Sequence, residues 1–203
     1  MTKLVQNLPW LDRYRTIIRG MLPSESQRVT PPPFQQIAAK ITGGKAAAMP
    51  ETISALQGLP LIRAVWGAVG DINSRTASVP TEVEKVISHQ ASDGHLLLTT
   101  ANDHPESVWY FELQLTHALA TAGLLLNNQA CFAAAQRAAT FILNEIQPDH
   151  ATNRPWGITA FLLAENTLPL VDWVLHSATV HLTTTDDEMT LLLLKDCLYC
   201  FST

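Results

Sequence analysis

Residues 105–147 read PESVWYFELQLTHALATAGLLLNNQACFAAAQRAATFILNEIQ, two long segments separated by the polar pair Asn127-Asn128. Apolar or small residues recur at steps of three or four in both segments, so each segment presents one packing face. The two faces are Trp109, Leu113, Thr116, Ala120 and Leu124 on the first segment, and Phe132, Ala135, Ala139, Ile142 and Ile146 on the second. This pattern predicts an antiparallel helical hairpin.

A second, mostly polar stripe also follows helical spacing on the first segment. It consists of Glu106, Tyr110, Gln114, His117 and Thr121. Such a stripe could line a wet cavity and contact a ligand. Alternatively, its side chains face solvent or bond to neighbouring backbone, as most polar groups do.

Composition excludes several classes of protein. Of the 203 residues, 47% are hydrophobic and 15% are charged, which excludes a disordered chain and allows a large core. The net charge is −5 and no basic cluster is present, so the sequence predicts neither nucleic-acid binding nor attraction to an anionic membrane.

The N-terminus has no apolar core before its charges, and no apolar run approaches the roughly 20 residues that span a bilayer. The cysteines Cys131, Cys197 and Cys200 are odd in number, which fits free thiols in a reducing compartment. Together these features favour a soluble, cytoplasmic protein. The pair Cys197 and Cys200 lies inside a helical pattern, which favours structural thiols over a redox or zinc site.

Helical spacing extends over most of the chain. It predicts helices at residues 8–21, 34–41, 81–90, 156–165, 168–182 and 188–201, and two short helices within residues 51–69 that break at residues 58–60. No segment alternates convincingly with a period of two. The sequence therefore predicts a single all-α domain over residues 1–203, with less regular helices at 1–78 and a hairpin repeat region at 80–203.

Two connections suggest an internal repeat, because Gln90 and Gln147 each end a helix and are followed within three residues by Asp93 and Asp149. Stacked hairpins of this size would cover each other's apolar faces. The sequence QASDGH at residues 90–95 also resembles the Gln-x-x-Asp-Gly turn of α/α-toroid proteins, such as the terpene-cyclase and protein-prenyltransferase families. The resemblance covers roughly residues 82–165 and implies hairpins arranged around a cavity, either as a partial ring or as an irregular helical bundle.

Imidazole and carboxylate groups concentrate in these connections. Asp93, His95, His104 and Asp149 are the candidate catalytic residues, because carboxylates beside imidazoles can act as general acids and bases. Glu106, Tyr110, His117, Arg154 and Trp156 are the candidate ligand-binding residues. The same residue types also close turns and cap helices. No spacing typical of a metal site occurs, so we predict no metal and no cofactor.

Two functions from different classes remain open. The first is an all-α binding or scaffold protein that holds a small-molecule or protein ligand in a loop-end pocket or on a concave surface. The second is a toroid-type enzyme that uses Asp and His in acid–base chemistry on an apolar or sugar-like substrate. The low charge also allows homo-oligomerisation through the Ala-rich or C-terminal helix.

Overall fold

The structure is a computed structural model that describes residues 15–16, 19, 22, 31–43, 58–72, 78–96, 105–145, 163 and 188–201. Its helices are α1 (Pro33–Thr42), α2 (Gly58–Gly70), α3 (Thr81–Ser88), α4 (Pro105–Leu125), α5 (Gln129–Glu145) and α6 (Glu188–Phe201). None of the described residues forms a strand, so the prediction of an all-α fold is confirmed. No helix within these ranges is long and apolar enough to cross a bilayer.

Helix α4 is the centre of the described fold. From Glu112 to Leu124 every side chain except Gln114 is buried, and α2, α5 and α6 all pack against it. A helix that is buried on all sides needs apolar or small residues around its whole circumference, and the sequence LQLTHALATAGLL largely provides them. Its few polar groups must therefore find partners inside the protein.

Helices α4 and α5 form the predicted antiparallel hairpin. Trp109 near the start of α4 meets Phe141 near the end of α5, with ring centroids 6.3 Å apart. The turn between the helices contains Asn127 in the left-handed region (φ 51°), and the Asn128 N–H donates to the carbonyl of Gly123 at 2.8 Å. The Asn128 side chain then caps α5 by accepting from the N–H of residue 131 at 3.0 Å. The two asparagines thus end one helix and begin the next.

The close packing of this hairpin depends on small residues. A Cβ atom at Gly123 would lie 2.8 Å from the backbone nitrogen of Phe132, a distance that Cβ atoms essentially never show. Ala134, Ala135, Ala138 and Ala139 are all buried on α5. Small side chains allow two helix axes to approach each other closely.

The N-terminal part of the described fold differs from expectation at one point. Helix α1 agrees with the prediction and ends at Gly43, which is left-handed at φ 66°. Helix α2 begins at Gly58, where we predicted a break, because Pro60 is tolerated in the first turn of a helix. The predicted helix before this break lies outside the described residues.

Helix α6 closes the core against α1 and α4. Its buried residues include Leu192, Leu193 and Leu194, so the predicted buried C-terminal helix is confirmed. Glu188 at its first turn pairs with Lys40 of α1, with Nζ and Oε2 2.6 Å apart. Both side chains are largely exposed, so this pair contributes little to stability.

Candidate functional site

The structure describes part of the predicted site. Asp93 and His95 lie in the connection after α3, and His117 lies on α4. Glu106 and Tyr110 also belong to α4, but their side chains lie outside the description. His104, Asp149, Arg154 and Trp156 lie outside the described residues, so their predicted roles stay predictions.

The connection from Gln90 to Leu96, which we call the docked turn, is fixed onto the hairpin. The Gln90 side-chain amide donates to the carbonyls of Gly94 and Ala134, both at 2.9 Å. Its oxygen accepts a hydrogen bond from the guanidinium of Arg137. One glutamine therefore closes the turn and joins it to α5.

Gly94 allows the turn to approach α5 closely. Its φ of +103° is rarely adopted by other residues, and a Cβ atom there would lie 2.4 Å from the carbonyl oxygen of Arg137. Asp93 Oδ1 accepts from the backbone N–H of His95 at 3.0 Å, which is a common role of aspartate in turns. The Gln-x-x-Asp-Gly pattern of this turn thus has a clear structural function here.

Glu112 on α4 receives the end of the docked turn. Its side chain is fully buried, and both carboxylate oxygens accept from the N–H of Leu96 at 3.1 Å. Nε2 of His95 lies 2.9 Å from Oε1 of Glu112. This contact lacks hydrogen-bond geometry at Nε2, and it is an ion pair when the imidazole is protonated. The His95 side chain remains 18% exposed and stacks on Phe141, with ring centroids 4.8 Å apart.

These surroundings raise the pKa of His95. The largest influence is its contact with the Glu112 carboxylate, which raises the pKa, whereas burial lowers it by a smaller amount. The negative charges of Glu112 and Asp93 raise it further. The protonated imidazole is therefore the form that this site favours.

A second imidazole–carboxylate pair joins α4 to α6. Nε2 of His117 lies 2.7 Å from Oδ2 of Asp196, and the Thr121 hydroxyl donates to the same oxygen at 3.1 Å. His117, Thr121 and Asp196 are all buried, and the His117 ring lies 5.7 Å from that of Trp66. The polar stripe on α4 therefore neither faces solvent nor lines a wet cavity at these two residues; it binds the buried aspartate of α6.

The thiol beside this pair is unsuited to nucleophilic chemistry. Cys200 Sγ donates to Oδ1 of Asp196 at 3.8 Å, and burial, followed by the charge of Asp196, raises the pKa of Cys200 well above its usual value. A protonated thiol is neither a good nucleophile nor a metal ligand. The space lined by Cys200, Asp196 and His117 is too small to hold a water molecule.

The two pairs are separate features of α4. Glu112 and His117 are five residues apart, which on an α-helix corresponds to about 140° of rotation and about 7.5 Å along the axis. Asp93 and His95 therefore come together, whereas His117 belongs to a different cluster. Among the described residues, no three potential ligands are arranged to hold a metal ion.

Our sequence reasoning missed the two carboxylates that complete these pairs, Glu112 and Asp196. A signal for both was present, because each is an acid among mostly apolar residues of a helical segment. Such a residue is rarely buried unless it has a partner. The sequence did not indicate which residue the partner would be.

In comparisons with known proteins, no family model matches the chain, and no curated protein or solved structure shows significant similarity to it. The resemblance of the docked turn to α/α-toroid proteins therefore stays a prediction.

Proposed function

We propose that this chain is an all-α binding or scaffold protein and that the docked turn is part of its ligand-contacting surface. The observation that supports this proposal best is the way the turn is held. Gln90, Gly94 and the buried Glu112 fix the backbone to two helices, while Ser92 and Asp93 remain exposed. A polar turn fixed on a rigid scaffold is a common form of binding site.

The state of the buried carboxylates also favours binding over acid–base catalysis. Glu112 is engaged by Leu96 and His95, and Asp196 is engaged by His117, Thr121 and Cys200. General acids and bases must reach the atom whose proton they transfer. Carboxylates that are saturated by internal partners are better suited to fastening helices and turns.

One observation supports an enzyme as the second candidate. The imidazole of His95 is partly exposed and is held by a buried carboxylate, as in sites where an acid orients a catalytic histidine. In this case His95 would act as a general acid on a substrate bound beside Asp93. Loss of a detected activity in His95→Gln, with unchanged substrate binding, would favour this alternative.

Ligand screening by NMR on the full-length chain tests the leading proposal. We expect compounds or peptides that bind to shift the amide signals of residues 90–96 and of neighbouring α5. The Ser92→Arg substitution should lower the affinity for such a ligand at least tenfold. Gln129→Arg adds the same side chain at the exposed start of α5 and should leave the affinity unchanged. The proposal would be refuted if the ligands bind elsewhere on the protein and their affinity is unchanged by Ser92→Arg.

Three finer points belong to the same proposal. The hairpins are arranged as a partial toroid or an irregular bundle, and the protein is located in the cytoplasm, which the free thiols Cys131, Cys197 and Cys200 fit. Self-association through α5 or α6 is the third finer point. The buried residues of both helices already pack within the chain, so association would use their remaining faces. Light scattering over a range of concentrations tests for self-association, and a strict monomer would exclude it.

A further inference from the structure

We propose that the buried Asp196 sets the rotation of α6 about its own axis, by selecting which of two apolar faces of this helix packs into the core. The sequence of α6, EMTLLLLKDCLYCF, carries apolar side chains around most of its circumference. Burial of apolar surface alone therefore does not determine how the helix is rotated. A buried polar residue that finds its partners in one arrangement only can make this choice, as a single asparagine does in coiled coils.

The face of α6 that enters the core is not its most apolar face. The buried face, which we call the aspartate face, contains three buried residues at helical spacing: Leu193, Asp196 and Cys200. A second set with the same spacing, which we call the leucine face, consists of Leu191, Leu194 and Leu198.

The leucine face contains no charged residue, yet Leu191 and Leu198 are only partly buried. A rotation of α6 by roughly 100° would bring the three leucines into the core and turn Asp196 towards solvent. Hydrophobic burial by itself would favour this second arrangement, because it does not remove a carboxylate from water. The structure nevertheless buries Asp196 completely.

Helix α4 provides the interactions that favour the aspartate face. His117 and Thr121 are four residues apart and therefore lie on the same side of α4. Nε2 of His117 lies 2.7 Å from Oδ2 of Asp196, and the Thr121 hydroxyl donates to the same oxygen at 3.1 Å. Rotation of α6 would withdraw the carboxylate from both residues and leave their interactions with it unmade inside the protein. This loss opposes the arrangement that buries the leucine face.

Contacts on the outer side of α6 select its rotation much less strongly. The pair between Glu188 and Lys40 joins two largely exposed side chains and contributes little energy. The rings of Tyr199 and Phe34 lie 6.0 Å apart, and Tyr199 remains exposed. This ring contact is nevertheless a useful reporter, because a rotation of α6 would carry Tyr199 away from Phe34.

Replacement of the polar cluster by apolar side chains tests the proposal in the full-length chain. The triple variant His117→Leu, Thr121→Val and Asp196→Leu removes the charged and polar groups together, so it should still fold. Its helix α6 should adopt, at least in part, the arrangement that buries the leucine face. Cys200 would then turn outward and react with iodoacetamide about tenfold faster than in the native protein, or more. The nuclear Overhauser effect between the rings at positions 34 and 199 should weaken in parallel.

The substitution Leu191→Glu distinguishes rotation of α6 from general loosening. A glutamate on the leucine face opposes burial of that face, so its addition to the triple variant should restore the slow reaction of Cys200. It should also restore the contact between the rings of Phe34 and Tyr199. General loosening would not be reversed by an added charge. Leu191→Glu in the native sequence is the matched control and should leave Cys200 protected.

The proposal would be overturned if Cys200 reacts as slowly in the folded triple variant as in the native protein. Faster labelling that Leu191→Glu does not reverse would overturn it as well. Asp196→Leu alone carries the same test if the triple variant does not fold, and loss of folding in both would show that the cluster is needed for folding rather than for the choice of face. The labelling experiment contains no ligand, so its result is independent of the proposed binding function.

Discussion

Removal of the Asp196 carboxylate should destabilise the protein more than any change to a surface charge. The Asp196→Ala variant loses the contact with His117 at 2.7 Å and the hydrogen bond from Thr121 at 3.1 Å. Both partners are 2% exposed, so water cannot readily replace the lost acceptor. Hydrogen bonds to charged groups are each worth about 1.5–3 kcal/mol, and breaking a buried pair costs about 3–5 kcal/mol. We expect a loss of about 3–5 kcal/mol in the free energy of unfolding.

A double-mutant cycle separates this interaction from simple loss of packing. His117→Phe removes the ring nitrogens but keeps a ring near Trp66, and it leaves the Asp196 carboxylate without its imidazole partner. Combining it with Asp196→Ala removes both members of the pair. The double variant should therefore lose less stability than the sum of the two single variants, by about 0.5–3 kcal/mol.

Urea denaturation followed by circular dichroism at 222 nm measures these changes. Glu188→Gln is the control, since it breaks a pair of similar length between exposed side chains and should cost about 0.2–1 kcal/mol. Should Asp196→Ala unfold the protein outright, Thr121→Val provides a milder change at the same carboxylate. A cost for Asp196→Ala no greater than that for Glu188→Gln would refute our view that this pair fastens α6.

Further predictions concern glycines and a thiol. Gly94→Ala should lower the melting temperature more than Gly43→Ala, because a Cβ atom at position 94 would lie 2.4 Å from the carbonyl oxygen of Arg137, whereas the left-handed Gly43 has open space around it. Calorimetry of both variants measures the difference, and equal losses in melting temperature would contradict the prediction. Gly123→Ala should cost about 1–3 kcal/mol in urea denaturation by forcing α4 and α5 apart, and a neutral result would disprove the close approach. Burial raises the pKa of Cys131 to about 11, so its thiol should react with iodoacetamide at pH 8 far more slowly in the native protein than in urea. Mass spectrometry of the labelled peptide measures the two rates, and equal rates would mean that the thiol is accessible.

Local signals in the sequence were sufficient to predict the described helices. The hairpin followed from apolar spacing and from Asn127 and Asn128, and the end of α1 followed from Gly43, because periodicity and capping act within a few residues. The same local logic predicted a break at residues 58–60, where the structure instead has the first turn of α2, because Pro60 is acceptable in a first turn. Asp93 and His95 could be selected as a candidate pair because they lie in one short turn.

Only the tertiary structure decided which polar groups meet. Asp196 lies 79 residues from His117, and Glu112 lies 16 residues from Leu96, so neither contact is encoded by helical spacing. Such contacts depend on how α4 is surrounded by α6 and by the docked turn, since a buried acid accepts whatever donor the packing brings to it. The sequence by itself determined where the helices form and that one face of α4 would be covered. The packing of the helices buried the rest of α4 and determined the partners of its polar groups.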